Sequence, residues 1–450
     1  MTTVLETCRI PPAPGGAAEL SLPLTYLDVT WIHFQPIRRL LFYDHPCSKP
    51  QFLSTIVPHL KQSLSLTLKH YLPVAGSLLY PSDTAAQKPV IRYVAGDSVP
   101  LTIAVSTNDL DHLTGNHPRD ADQFYDFVPP MPPASDGDGF AAVPVFALQA
   151  TLFPGRGVCI GFANHHVLGD ASSIVGFVKA WASITKLGGD AEFLAPVFDR
   201  GAVSDPHGWD MLNWEVMREI PFRPPVSANP VPTNRVRATF VLNRTDLERL
   251  KRSIKPGPVH VSSFAAATSY VWSCMAKSGD AVGEEAGNGG VDYFVFVVDV
   301  RARADPPVPA SYFGNCLSFA AARVERRRLA GEEGFAAAAE EVGRVIGEKV
   351  NRKEEVLRGM QNWRESYEEL KRIRSIGVSG SPRFDLCAAD FGWGEARKME
   401  ALSIDGERYS MSLCKSRGGG GGGGLEVGLS LEKERMEAFA AIFAQGLRFG

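Results

Sequence analysis

No pair of cysteines in this chain has the spacing of a metal or redox site. Seven are scattered along it, at Cys8, Cys47, Cys159, Cys274, Cys316, Cys387 and Cys414. The number is odd and no C-x-x-C occurs, which speaks against a disulfide framework and against zinc. Thiols kept reduced in the cytosol fit this usage best. No apolar run approaches the ~18 residues that cross a bilayer. Residues 1–16 are rich in Thr, Pro and Gly, without a basic stretch leading into an apolar one, so no signal peptide is read. Neither charge dominates: 47 Lys and Arg stand against 50 Asp and Glu, for a formal net charge of -3. Nucleic-acid binders usually carry a basic excess or stripe, so that class is set aside. No heptad or exposed apolar stripe suggests a dimer, and a monomer is expected. Serine elbows, cysteine nucleophile motifs and metal-ligand pairs are also missing.

What is present describes a large globular enzyme-sized chain. Its 450 residues allow two or three domains and a core that needs no disulfide or metal. Phe52, Ile56, Leu60, Leu64 and Leu68 recur every fourth residue and mark an amphipathic helix. Val90–Val94, Val145–Phe153 and Val158–Phe162 read as strands, with a Pro/Gly/Asp-rich loop over 129–139. Asp170 to Ser173 starts a helix that buries Ile174, Phe177, Val178, Trp181 and Ile184. The ordered part opens at Thr25. Over 191–232 the pattern dissolves into Pro, Asp and Asn, a connector between a first half, 1–190, and a second, 233–450.

The second half reads as a strand over 236–242, a helix capped by Thr245 and another capped by Ser262 or Ser263. Tyr293–Val300 is a nearly continuous β-branched and aromatic run, the mark of a strand covered on both faces. Charged helices follow over 332–350 and 353–374. Strands are expected at 384–388, 398–404, 409–413 and 425–429, with a last helix over 431–447. The glycine run 418–424 precedes a strand rather than a helix, so it reads as a flexible hairpin loop and not a phosphate cradle.

Two short motifs carry the chemistry. His166-Val167-Leu168-Gly169-Asp170 is an H-x-x-x-D pattern at a strand-to-helix junction, preceded by His165. A strand-end imidazole titrates near neutral pH and suits a general base; a satisfied buried histidine fits the local residues as well. Among ten histidines, roughly half a match arises by chance, so the pattern alone decides little. Asp170 is either an orienting group for the imidazole or the structural partner of an arginine, with Arg301 the candidate; the intervening glycine favours the structural role. Asp390-Phe391-Gly392-Trp393-Gly394 reads locally as a turn with an aromatic plug.

Together these motifs resemble the BAHD acyltransferases over nearly the whole chain. H-x-x-x-D lies near a third of the length, and D-F-G-W-G matches letter for letter near the C-terminus. Tyr312-Phe313-Gly314-Asn315-Cys316 is similar to the Y-F-G-N-C motif of the branch acting on anthocyanins and other phenolic glycosides, often with malonyl-CoA. The segments Leu22 to Trp31 and Gly380 to Phe384 resemble that branch too. One departure is Ala171, where many members have glycine.

The resemblance implies an α/β fold of two similar-sized domains, each a mixed sheet flanked by helices, like chloramphenicol acetyltransferase, with an active-site channel between them. It implies acyl transfer from an acyl-CoA co-substrate to a hydroxyl of a phenolic glycoside, with no permanently bound cofactor and no metal. Malonyl-CoA is the first expectation for the donor and hydroxycinnamoyl-CoA the alternative. A non-catalytic acyl-CoA- or phenolic-binding protein is the second. His166 would be the base and Asp170 would pair with Arg301. Asp390, Phe391, Gly392 and Gly394 would be mainly architectural, and Gly314 and Asn315 would sit near the cleft.

Four further expectations come from chemistry. Ser262 and Ser263 open a helix whose free N–H groups suit a coenzyme A phosphate. Lys251 and Arg252, with Lys255, would meet its 3′-phosphate, or be a solvated basic face. Arg383 would take a malonyl carboxylate bidentately. An oxyanion donor would be a backbone N–H or the Trp393 indole.

Overall fold

Strands among the described residues assemble into three sheets. The structure, a computed structural model, describes residues 1–188, 193–224, 233–254, 261–284, 290–352, 355, 374–406, 409–417 and 423–449. Most of the expected helix over 353–374, Lys255, most of the glycine run and a smaller part of the connector lie outside them.

The first sheet has six strands in the order Thr2–Ile10, Val99–Ser106, Phe146–Phe153, Gly157–Asn164, Ile37–Tyr43 and Lys398–Ala401. The second has seven: Leu317–Glu325, Val291–Asp299, Arg374–Ser379, Ser410–Lys415, Leu425–Leu431, Val236–Leu242 and Arg119–Asp120. Both mix parallel with antiparallel pairs. A third, of five strands, runs Glu19–Pro23, Val90–Val94, Ser77–Pro81, Phe140–Pro144 and Ser135–Gly137.

Helices Val57–His70 and Ala171–Leu187 pack one core with the first sheet, around Leu60, Leu64, Trp181 and Phe177. Ser263–Ala281, Gly334–Val345 and Lys433–Phe449 build another with the second sheet, around Trp272, Val271, Phe294 and Phe439. Asp170 caps Ala171–Leu187 by accepting from the Ser173 N–H at 3.2 Å. Gly188 closes it with a left-handed residue, φ 75°.

The halves are not divided at one point along the chain. Arg119–Asp120 pairs with Val236 and Arg237 in the second sheet, and Lys398–Ala401 pairs with Ile37–Tyr43 in the first. The linear boundaries 1–190 and 233–450 miss both exchanges. Buried charges join them: Glu400 accepts from Arg119 at 2.7 Å and from Arg237 at 3.0 Å. Burial pushes the Glu400 carboxyl up, but those guanidinium groups and Lys398 outweigh it and hold the pKa at about 2.

Several expectations need correction. The ordered chain begins at Thr2, not Thr25, because the β-branched Thr2, Thr3 and Val4 find a partner strand in Val99–Ser106. The connector contains a helix, Trp209–Arg218, whose Trp209, Trp214 and Met217 are buried. Asn243 rather than Thr245 caps Arg244–Ser253, through a reciprocal pair with Asp246. Val291–Asp299 alternates buried and more open residues, with Val297 40% exposed, so only one of its faces is fully covered. Leu386–Ala388 is a 3₁₀ turn where a strand was expected. Arg374–Ser379 is a strand that was not expected, and only its first residue falls in the expected helix over 353–374.

Candidate active site

The strand Gly157–Asn164 is buried along its whole length and ends against Ile37. The chain then turns through a short 3₁₀ segment, His166–Leu168, which His165 caps. Its Nδ1 accepts from the Val167 N–H at 3.2 Å. Burial lowers the His165 pKa to about 3, with His166 and His33 adding to the fall. The first histidine of the pair is therefore a neutral turn-holder.

His166 remains partly exposed. Its ring lies flat on Trp31, with centroids 3.9 Å apart and planes 9° apart. Phe34 meets it edge-on at 6.0 Å, and Phe319 of the second sheet packs 5.2 Å from Trp31. This apolar setting lowers the imidazole pKa to about 4. Its own backbone carbonyl, Asp170 and Asn315 oppose the fall, and the Arg39 charge adds to it. At neutral pH the ring is uncharged and free to take a proton. Nδ1 is enclosed, which leaves Nε2 to meet an incoming group.

Asp170 turns away from this ring. Its two oxygens accept from Arg301 Nη1 at 2.7 Å and Nη2 at 3.0 Å, and Oδ2 also accepts from the Cys316 N–H at 3.0 Å. Arg301 Nη2 further donates to the Tyr312 and Gly314 carbonyls, each at 3.1 Å. Burial works against the Arg301 charge, but Asp170 outweighs it and the pKa is raised. The pair is bidentate and buried, so it ties the turn after His166 to the loop 312–316 of the other half.

That loop needs its glycine. A Cβ on Gly314 would stand 2.5 Å from Arg200 Nη1 and 2.8 Å from the Tyr312 ring. Asn315 Nδ2 donates to the His166 carbonyl at 3.1 Å and to Asp28 Oδ1 at 3.1 Å, while its N–H reaches the same Asp28 oxygen at 2.8 Å. Asp28 Oδ2 is taken by Thr25. Three distant segments thus converge under one imidazole.

Asp390 to Gly394 forms a separate unit. Asp390 Oδ1 accepts from the Gly392 and Gly394 N–H groups, both at 2.8 Å, and Oδ2 from Lys186 Nζ at 2.7 Å. Burial opposes the Asp390 charge, yet these donors hold its pKa below the ordinary value. Phe391 is buried between Tyr43 and Trp181, at 5.7 and 4.9 Å. Trp393 packs on Tyr43 at 5.4 Å and stacks on His45 at 5.2 Å. Tyr43 pairs with Val158 and Ile37 with Asn164, at opposite ends of one strand pair. Those ends are roughly 20 Å apart at the usual rise per residue. Trp393 therefore does not donate to an oxyanion formed at His166, and that expectation is corrected.

Ser262 caps Ser263–Ala281 by accepting from the Ala265 N–H at 3.1 Å. Phe264 in its first turn packs on Phe296 at 5.6 Å and Phe294 at 6.4 Å, over the middle of Val291–Asp299. Lys251 pairs with Glu248 at 2.9 Å and Arg252 Nε donates to the Glu248 carbonyl at 3.2 Å, so both are engaged on their own helix. Arg383 is exposed and its guanidinium has no partner among the described residues; nothing links it to the His166 cleft.

Trp31, Asp28 and Arg39 escaped sequence reasoning. Trp31 and Asp28 fall in a segment noted only for its likeness to a family. No spacing within that segment shows which rings or carbonyls it meets.

The comparisons with known proteins agree along the whole chain. A family profile described as the transferase family matches residues 1–445. A malonyl-coenzyme:anthocyanin 5-O-glucoside-6'''-O-malonyltransferase of Salvia splendens is 55% identical, over 98% of this chain and 95% of that protein. Phenolic glucoside malonyltransferase 1 of Nicotiana tabacum is 45% identical over the full length of both. Among solved structures, vinorine synthase superposes with a TM-score of 0.71 at 21% identity, covering 97% of this chain and 96% of that one. TRI101 of F. graminearum, complexed with ethyl coenzyme A, gives 0.65 at 15%, covering 94% and 97%. These two show a shared fold. Profile match and full-length identity agree, and the chain belongs to this transferase family, the BAHD acyltransferases.

Proposed function

We propose that the protein transfers a malonyl group from malonyl-CoA to a sugar hydroxyl of an anthocyanin or other phenolic glucoside, with His166 as general base. The observation that carries this is the neutral, partly exposed imidazole of His166, set at the boundary of the two halves. Nε2 removes the hydroxyl proton as the oxygen attacks the thioester carbonyl. The tetrahedral oxyanion collapses, the C–S bond breaks, and the imidazolium returns its proton to the departing thiolate. Acyl group and proton are then both accounted for without an acyl-enzyme.

The malonyl donor is supported by relatives named as malonyltransferases at 55, 45 and 40% identity. A relative named as a coumaroyltransferase stands at 31%. Coenzyme A phosphates would lie at the N-terminus of Ser263–Ala281, where uncapped N–H groups favour anions. Action as a monomer in the cytosol belongs to the same proposal, in keeping with seven free cysteines; no helix among the described residues is long and apolar enough to cross a membrane.

The test is a mass-spectrometric screen of malonyl-CoA and coumaroyl-CoA against a panel of phenolic glucosides. A mass gain of one malonyl group is expected on a glucoside and not on the aglycone. Transfer of coumaroyl alone, or none from either donor, rejects the proposal.

A further inference from the structure

Among the described residues, Arg39 is an arginine without an acid. It lies on Ile37–Tyr43, paired with Phe162 on one side and Ala401 on the other, two residues in from the strand end that faces the His166 turn. Its Nη1 donates to the Arg38 carbonyl at 2.9 Å and to Ser403 Oγ, and its Nη2 to Ser379 Oγ at 2.8 Å. All three acceptors are neutral. No carboxylate among the described residues pairs with it, whereas Arg119, Arg237, Arg301 and Arg326 each hold at least one.

A guanidinium has five N–H donors. Three are used here, which leaves Nε–H and one Nη2 N–H. The residue is not sealed from solvent. Ser379 and Ser403 both come from the second half of the chain, so the group sits across the boundary where the substrates would enter. It is also near enough to His166 for its charge to act on the imidazole. Burial and the nearby Arg237 lower its pKa to about 10, so it stays charged at neutral pH. Two serines thus orient a cation without neutralising it, beside the reacting centre.

We infer that Arg39 receives the free carboxylate of the malonyl donor and selects a dicarboxylic acyl thioester over a neutral one. This rests on the acyl-transfer function proposed above. Oxygen atoms of a carboxylate match paired N–H groups on the guanidinium fork, and the pairing is strong where water is scarce. A lysine offers a point charge and would restore only part of the preference.

The experiment is calorimetric binding of malonyl-CoA and acetyl-CoA, without acceptor, to wild type, Arg39→Gln and Arg39→Lys. The wild type is expected to bind malonyl-CoA roughly tenfold or more tightly than acetyl-CoA. Arg39→Gln should bring the two within about twofold by weakening malonyl-CoA alone, and Arg39→Lys should fall between. Equal weakening of both thioesters by Arg39→Gln, or an undiminished preference for malonyl-CoA, overturns the assignment. If Arg39→Gln does not fold, the decision passes to Arg39→Lys, where an unchanged preference overturns it. A wild type that transfers malonyl while Arg39→Gln keeps its selectivity defeats only this inference. A wild type that binds neither thioester defeats the proposed function along with it.

Discussion

The indole of Trp31 and the imidazole of His166 lie face to face, 3.9 Å between centroids and 9° between planes. The contact joins a segment near the N-terminus to the strand-end turn. It sets both the orientation of the imidazole and its reluctance to take a charge.

His166→Ala is expected to lower acyl transfer by about 10²- to 10⁴-fold, the usual worth of a positioned base. The ring is partly exposed, so the variant should fold with a thermal midpoint close to wild type. Product formation and a melting curve on the same sample check both halves of the statement. Wild-type turnover in the folded variant excludes the role.

Acid should weaken the fold through the same residues. An unfolded histidine binds a proton near ~6.5, whereas folded His166 does so at about 4 and His165 at about 3. Between these values the unfolded chain holds more protons, so stability is full above ~6.5 and declines as pH falls toward 4. Urea denaturation at pH 7.5 and pH 5 measures the decline. It should be smaller in His166→Ala, which lacks one of the two groups.

Replacing Trp31 by alanine removes the plate beneath the imidazole. Loss of a buried indole costs roughly 3–5 kcal/mol of stability. Relief of burial raises the His166 pKa, so the acid limb of the kcat/KM profile should move up from about 4 toward the ordinary imidazole value. Trp31→Phe keeps an aromatic face and should move the limb less. A profile in Trp31→Ala that coincides with wild type would show that the stack does not tune the base.

Asp170→Asn leaves the buried Arg301 charge without its carboxylate. Breaking such a pair costs about 3–5 kcal/mol, and the turn after His166 loses its tie to the loop 312–316. Transfer should fall, but the acid limb should not rise, because Asp170 acts to raise the imidazole pKa and its removal works the other way. Guanidinium denaturation and the pH profile separate this from a direct catalytic role.

Trp393→Phe should leave kcat unchanged, since the ring packs on Tyr43 and His45 at the far end of the strand. Phe391→Ala, by contrast, empties a buried site between Tyr43 and Trp181 and should cost about 3–5 kcal/mol. Initial rates per folded molecule and denaturation midpoints check the pair.

The amino-acid sequence by itself determined whatever depends on neighbours along the chain. Asp170 and Ser262 are legible as caps because the side chain bonds an N–H three residues on. The strand Val90–Val94 is legible because buried and open positions alternate along it, and the two signature motifs were enough to name the family. Contacts between distant residues leave no such trace. Thr2–Ile10 is a strand only because Val99–Ser106 lies beside it, and Lys398–Ala401 joins the first sheet because Ile37–Tyr43 offers a free edge. Tertiary structure alone decided that the Trp31 ring, not that of Trp393, reaches the imidazole, and that Arg39 has no carboxylate partner among the described residues. Burial and unpaired charge are properties of the packed molecule, fixed by groups hundreds of residues apart, and no local pattern encodes them.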